Sequence, residues 1–180
     1  HGPIECLFTV DEETGLTGAF ALEAGFFKGK ILLNLDSEDW GELFIGCAGG
    51  IDTVAIFDFD RESIPEDHLG FTIQVTGLNG GHSGDEIDKG LGNALKILNR
   101  FLWNISDQYD VRIASFEGGR ARNAIPREAE AVVTIHEEDV DHVKDYFKDF
   151  LDDIGNELKI TEPGLKITFD SSDLPESVID

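Results

Sequence analysis

The sequence predicts a chain of two unlike parts, an α/β segment over residues 1–48 followed by an α+β domain over residues 49–180. Short, nearly unbroken apolar runs in the first part are typical of strands buried on both faces of a parallel sheet. In the second part, apolar residues alternate along strands or recur every three or four residues, which indicates elements with one buried face. A stretch of small residues at 46–50 (GCAGG) separates the two patterns and predicts the boundary.

The first part is predicted to form one βαβ unit. Its strands are residues 4–10 (IECLFTV) and 31–35 (ILLNL), and a short helix over residues 17–24 lies between them and ends at Gly25. Two strands alone would leave both edges of their sheet unpaired and both faces half covered. We therefore expect this part to belong to a larger sheet.

The second part has the order β-α-β-β-α-β, with one apolar face on each element. That order predicts the ferredoxin-like plan, an antiparallel sheet that carries two helices on one face. Residues 51–59 are a further strand candidate, and the polar residues 171–180 are expected to form a frayed end. The elements in chain order are a strand at 69–75, a helical stripe of Ile87, Leu91, Leu95, Leu98 and Leu102, strands that begin at Val111 and Ala129, a second helical stripe from Val140 to Leu158, and a strand at 165–169.

The chain is strongly acidic, because 14 Lys and Arg against 37 Asp and Glu give a net charge of −23. Binding to nucleic acids or anionic membranes needs stripes of Lys and Arg, so we expect neither as a partner. Two cysteines, Cys6 and Cys47, cannot form a disulfide framework, which favours a cytoplasmic protein. The sequence contains no methionine, and we therefore expect it to be a piece of a longer protein.

Acidic residues follow both predicted strands of the first part. Glu12 and Glu13 come just after the first strand, and Asp36 comes directly after the second. Because the carboxyl ends of neighbouring parallel strands meet at one edge of a sheet, the three side chains would converge there. Crowded carboxylates need protons or a metal ion to neutralise them. The alternatives are solvated surface acids for Glu12 and Glu13 and a helix cap for Asp36.

A glycine-framed loop at residues 80–84 (GGHSG) lies between a predicted strand and a predicted helix. Its glycines allow a tight turn that leaves the imidazole of His82 exposed. An exposed imidazole can act as an acid, a base, a metal ligand or an oxyanion donor. The alternative is a plain turn in which Ser83 or Asp85 caps the following helix.

A basic island at residues 120–126 (RARNAIP) stands out in this acidic chain. Arg120 and Arg122, close to Asn123, are suited to receive a substrate carboxylate. The alternative is a loop between strands whose arginines pair with nearby acids. The pattern alone leaves both interpretations open.

Together, and in this order, the motifs resemble the zinc aminopeptidase and carboxypeptidase clan that contains carnosinases, aminoacylase and glutamate carboxypeptidase. The resemblance extends from His1 to about Glu137. It implies that the first part is the end of a catalytic domain and that the second part is a lid domain. It also leads us to expect that the protein forms a homodimer. The segments that carry it are FTVDEETGLTGAF, LLNLDSED, GCAGGID, GLNGGHSGDEI, GLGNALKILNRFL and RNAIPRE.

The resemblance also implies an activity, the hydrolysis of Xaa-His dipeptides by metal-activated water. It implies two zinc ions for each complete active site, with cobalt or manganese as other candidates, and Glu12 as the general base. Glu13 and Asp36 would each ligate one of the two ions. His82 would stabilise the tetrahedral oxyanion, and Asn123 would contact the substrate.

The sequence departs from the family pattern in one respect. Members of the clan also use a His and a bridging Asp upstream of the Glu pair and a further His downstream, and these have no counterpart here. A zinc site normally has at least three protein ligands, so we expect an internal segment of an enzyme that is inactive in isolation. The alternatives are a non-catalytic ferredoxin-like binding or dimerisation module, whose open sheet edge pairs with another copy, and an acidic cation-binding domain.

Overall fold

The computed structural model describes residues 2–36, 40–47, 49, 51 and 53–180. The chain divides into two compact units, His1–Val54 and Ala55–Asp180. Two residues of the small-residue stretch predicted as the boundary, 48 and 50, lie outside the described residues, as do residues 37–39 after Asp36.

The first unit contains two one-turn helices, α1 (Glu12–Gly15) and α2 (Thr17–Phe20). Leu16, with a left-handed φ of 57°, separates them. The N–H of Gly18 donates to the carbonyl of Val10 at 3.1 Å, and a Cβ at Gly18 would lie 2.6 Å from the Val10 nitrogen. Only glycine allows this approach, which folds α2 back onto the preceding segment.

The two strands of the predicted βαβ unit are absent from the described residues of the first unit. Residues 4–10 and 31–35 have no strand partners there, and Phe8 and Leu35 are each 90% exposed. Residues 51–59 likewise form no strand in their described part, residue 52 lying outside it. A strand buried on both faces is stable only between neighbouring strands and under covering helices. An apolar run in the sequence indicates a strand that needs such neighbours, but the run alone does not provide them.

The second unit contains the predicted ferredoxin-like sheet. Its strands are β1 (Arg61–Glu62), β2 (His68–Thr76), β3 (Gly81–His82), β4 (Val111–Gly118), β5 (Ala124–Ile125), β6 (Ala129–His136), β7 (Lys166–Ser172) and β8 (Val178–Ile179). Four of them form one antiparallel sheet with the order β4-β6-β2-β7, which confirms the ferredoxin-like plan. Two pairs of short strands, β1 with β8 and β3 with β5, accompany it.

Two long helices, α3 (Ala94–Gln108) and α4 (Val140–Leu158), pack on the sheet. The sequence pattern predicts that α3 begins at Ile87, but Ile87–Lys89 is a 3₁₀ turn that ends at the left-handed Gly90. The helix begins later because the side chain of Asn93 caps it, accepting a hydrogen bond from the Lys96 N–H at 3.1 Å. None of the described helices is long and apolar enough to cross a membrane.

The core of the second unit lies between this sheet and the two helices. Phe101 of α3 is 1% exposed, and its ring contacts Phe147 and Phe150 of α4 and Phe169 of β7. Alternate residues of β2 and β6 complete the cluster, as the alternation in the sequence predicts. The completely buried apolar members of these two strands are Ile73, Val75, Ala131, Val133 and Ile135.

The C-terminal residues are anchored, although their polar composition predicts a frayed end. β8 pairs with β1, and Val178 is completely buried. The guanidinium of Arg61 donates to the Ala114 carbonyl at 3.0 Å and to the Ser177 hydroxyl at 3.2 Å. The buried side chain of Val178 and the hydrogen bonds of Arg61 therefore hold the C-terminus in place. The composition of the last ten residues does not reveal contacts of this kind.

Candidate functional site

A two-stranded ladder brings His82 and Asn123 together, although about forty residues separate them in sequence. β3 pairs with β5 so that His82 lies opposite Ala124. The N–H of Ser83 donates to the carbonyl of Asn123 at 2.9 Å. The structure thus places side by side two residues that the sequence motifs single out separately.

The imidazole of His82 is held in one tautomer by the backbone of its own loop. Its Nδ1 accepts hydrogen bonds from the N–H groups of Gly84 at 3.1 Å and Asp85 at 3.3 Å. Because Nδ1 uses its lone pair in this way, the proton of the neutral ring lies on Nε2. The side chain is 53% exposed. His82 therefore presents an N–H donor to anything that binds beside it.

The backbone of the same loop is fixed by Glu86. The N–H of His82 donates to Glu86 Oε2 at 2.8 Å, and Lys89 Nζ donates to Glu86 Oε1 at 2.8 Å. The hydrogen bond from Lys89, followed by that from the His82 backbone, lowers the pKa of Glu86, and the same carboxylate raises the pKa of Lys89. Both groups are therefore charged near neutral pH.

Glycine has a structural role at two positions of this loop. Gly80 has a left-handed φ of 68°, which L side chains rarely adopt. A Cβ at Gly81 would lie 2.7 Å from Glu86 Oε2 and 2.9 Å from Leu91 Cδ1. The two glycines thus let the loop turn sharply and let the Glu86 carboxylate reach the His82 N–H.

A cleft of about 1340 Å³ opens beside the ladder, and His82 and Asn123 both line it. Arg120 of the basic island lines it as well, together with Arg127 and acidic residues that include Glu117. Cations can receive a carboxylate, and carboxylates can receive an amine. The cleft therefore offers charges of both signs next to a histidine donor.

The three carboxylates predicted as the catalytic and metal-binding groups lie in the first unit. Glu12 and Glu13 occupy the first turn of α1, and both are exposed. Asp36 is also exposed, and its N–H donates to the side-chain oxygen of Asn34 at 3.0 Å. The described residues contain no group of three or more His, Cys, Asp or Glu side chains that could hold a metal ion. Glu13 and Asp36, the two predicted ligands, are too few to hold a zinc ion on their own, because a zinc site normally has at least three protein ligands.

One buried acidic residue, Glu162, is not predicted from the sequence. It is only 2% exposed, and its two carboxylate oxygens accept hydrogen bonds from the N–H groups of Asn79 and Gly92, each at 2.7 Å. It follows α4 in the short segment NELKITEPG, which resembles any polar connection. No local signal distinguishes it from the other acids of the chain, because its partners are more than sixty residues away.

Comparison with known proteins identifies the family of the chain. Residues 66–162 of the 180, more than half of the chain, match the family described as the peptidase dimerisation domain. The chain belongs to this family. The matched residues include β2, β4 and β6 of the four-stranded sheet, both long helices and the ladder that carries His82 and Asn123, whereas β7 follows them.

Two relatives match almost the whole chain. It is 44% identical over 171 residues to the cytosol non-specific dipeptidase of Escherichia coli (strain K12), a match that covers 95% of this chain and 35% of that protein. The crystal structure of aminoacylhistidine dipeptidase from Vibrio alginolyticus matches with 38% identity and a TM-score of 0.76, over 96% of this chain and 35% of that one. The chain therefore spans about a third of the length of the relatives it matches.

Proposed function

We propose that this chain is a segment of a metal-dependent dipeptidase that hydrolyses Xaa-His dipeptides. Residues 1–48 would belong to its catalytic domain and residues 49–180 to a lid domain that also dimerises. The observation that carries the proposal is the fixed Nε2–H donor of His82 beside Asn123, on a peptidase dimerisation domain. The two relatives support a dipeptide as the substrate.

The charges of the cleft are suited to a dipeptide. A dipeptide carries one carboxylate and one ammonium group a few ångströms apart. Arg120 and Arg127 are suited to the carboxylate, and acids such as Glu117 are suited to the ammonium group. We assign Asn123 to contact the substrate as well, because it adjoins His82 in the ladder.

The role we assign to His82 is the stabilisation of negative charge. When water adds to a peptide carbonyl, the oxygen becomes an oxyanion, and a preorganised N–H donor stabilises that state more than the ground state. Because its Nδ1 already accepts two backbone N–H groups, the ring needs no change of tautomer to donate through Nε2. We assign Glu12 as the general base that takes a proton from the attacking water.

We include metal ions in the proposal because the family resemblance implies them. We propose zinc, two ions in each complete active site, with cobalt or manganese as substitutes, and Glu13 and Asp36 as one ligand each. The remaining ligands would come from parts of the enzyme outside this sequence. Metal dependence therefore has to be tested on the complete protein.

The proposed setting is the cytoplasm, as the name of the Escherichia coli relative suggests for that protein. The proposed partner is a second copy of the same protein, as the description of the domain suggests. A non-catalytic dimerisation module is the second candidate function, and the same family description supports it. Sedimentation at several concentrations tests dimerisation: a concentration-dependent dimer is expected, and a strict monomer would contradict it.

The proposed activity is tested by comparing the complete protein with the isolated 180 residues. We expect the complete protein to hydrolyse β-alanyl-histidine, to lose this activity with a chelator and to regain it with zinc. We expect the isolated chain to show none. Chelator-sensitive hydrolysis by the isolated chain would refute the assignment as a segment, and an inactive complete protein would leave the non-catalytic module as the function.

A further inference from the structure

Glu162 holds both ends of the loop that carries His82. We define the His82 loop as residues 79–92, which make up most of the connection between β2, ending at Thr76, and α3, beginning at Ala94. Glu162 Oε2 accepts from the N–H of Asn79, the first residue of this loop, and Oε1 accepts from the N–H of Gly92, the last. Both distances are 2.7 Å. One carboxylate therefore closes the base of the loop.

The surroundings of Glu162 are shaped for this contact. A Cβ at Gly92 would lie 3.2 Å from Glu162 Cγ and 2.8 Å from Leu78 Cδ2, so a larger residue there would displace the carboxylate or the leucine. The side chain of Asn79 adds a hydrogen bond to the carbonyl of Thr161 at 2.7 Å. The loop is thus joined to the segment after α4 by three hydrogen bonds at its base.

A buried carboxylate is costly, because it gives up its hydration. An apolar residue could fill the same volume without that cost, whereas only a carboxylate offers two oxygens that can each accept a charge-assisted bond from one end of the loop. Further along the loop, Glu86 fixes the His82 backbone and the β3–β5 ladder fixes its position beside Asn123. Glu162 supplies the remaining constraint, which is the position of the loop base on the core.

We propose that Glu162 is a positioning residue that acts through His82. It fixes the loop base and thereby the position of His82, which lines the cleft. This inference rests on the proposed function in one respect, since it takes His82 as the group that contacts the reacting dipeptide. Its structural part, the clamp on the loop, stands on this chain alone.

The clamp is tested by amide hydrogen exchange on the chain, with two variants and a control for each. Glu162→Gln leaves one oxygen for two N–H groups, and Gly92→Ala crowds Leu78 Cδ2 and Glu162 Cγ while keeping the carboxylate. We expect exchange at residues 79–92 to accelerate by about tenfold or more in both. Glu157→Gln removes an exposed charge that pairs with Arg100, and Gly155→Ala adds a Cβ into open space, so neither should change the loop.

The imidazole gives a second readout on the chain. In the wild type we expect the ¹⁵N spectrum of His82 to show one neutral tautomer with the proton on Nε2. In Glu162→Gln we expect the loosened loop to weaken the hydrogen bonds from the Gly84 and Asp85 N–H groups to Nδ1, so that the ring samples both tautomers and the Nδ1 and Nε2 shifts move toward each other. A residue that only stabilises the fold would leave these shifts unchanged once the variant is folded.

Kinetics of the complete protein then separate positioning from general stability. We expect Glu162→Gln to lower kcat for β-alanyl-histidine by about tenfold, with KM changed by less than about twofold. In a His82→Ala background the same substitution should cost no more than about twofold further, because its effect passes through the missing imidazole. A full tenfold loss in that background would overturn the proposal.

The outcomes separate this inference from the proposed function. If the complete protein hydrolyses no dipeptide, the proposed function fails, and the exchange and ¹⁵N results alone decide the inference. Faster loop exchange with altered imidazole shifts supports the positioning role. Unchanged exchange in both Glu162→Gln and Gly92→Ala, or unchanged imidazole shifts, overturns it whatever the activity.

Discussion

The two units of the chain contain similar apolar residues, but among the described residues only those of the second unit are buried. Ile73 and Val133 of the second unit are completely buried, whereas Phe8 and Ile45 of the first are 90% and 97% exposed. In the second unit every strand of the main sheet has a neighbour, and helices return across its face. The difference shows that an apolar pattern marks a surface for burial, while the topology decides whether anything covers it.

The difference in burial between the two units is tested by truncating one phenylalanine in each. Phe101→Ala removes the ring at the centre of the core and should lower the free energy of unfolding by about 3–5 kcal/mol. Phe8→Ala removes an exposed ring and should change it by less than about 0.5 kcal/mol. Urea unfolding of both variants measures the difference. Equal effects would mean that the first unit has a core of its own.

A second test concerns the anchored C-terminus. Val178→Ala should lower the free energy of unfolding by about 2 kcal/mol, because the side chain is completely buried. The matched change Val54→Ala, at a residue that is 81% exposed, should have almost no effect. If Val178→Ala is also neutral, the end of the chain frays as its composition predicts.

The smallest expected effect concerns the pH dependence of the His82 loop. The pKa of Glu86 lies below its ordinary value of 4.5, so its hydrogen bonds are fully present above that value. They are lost as the pH falls through the lowered pKa of the folded state. We therefore expect protection of the His82 amide to stay constant from pH 7 to pH 5 and to fall only under more acidic conditions.

Two variants check this pH dependence. Glu86→Gln should weaken protection of the His82 amide already at neutral pH, because the Lys89 ion pair is gone. Asp145→Asn, which removes an ion pair with Lys148 far from the loop in sequence, should leave the amide unchanged. Loss of protection near neutral pH in the wild type would contradict the role of Glu86.

The sequence predicts the second unit well because its signals are local. Alternation along β2 and the helical stripe of α4 each follow from one buried face, and these elements appear as predicted. The start of α3 is predicted too early because the capping by Asn93 and the left-handed Gly90 outweigh the apolar spacing of Ile87 and Leu91. The strands predicted at residues 4–10 and 31–35 are not observed. Their stability depends on neighbouring strands and helices, which the sequence pattern cannot specify.

The candidate site also contains both residues that local sequence motifs identify and residues that they do not. His82 and Asn123 lie in recognisable motifs, and the ladder that joins them follows from the fold. Glu162 lies in an ordinary polar segment, and its role depends on two backbone N–H groups that are distant in sequence. Glu12, Glu13 and Asp36 remain predictions, because the described residues contain no group of three or more side chains that could hold a metal ion.

The role of His82 in stabilising the oxyanion is tested most directly by the kinetics of His82→Ala in the complete protein. Loss of an oxyanion donor should lower kcat for β-alanyl-histidine by about 10²–10³-fold while KM changes little. The control is His142→Ala, which removes an exposed histidine that stacks on Tyr109 and should leave kcat unchanged. An unchanged kcat in His82→Ala, or an equal loss in both variants, would contradict the role assigned to His82.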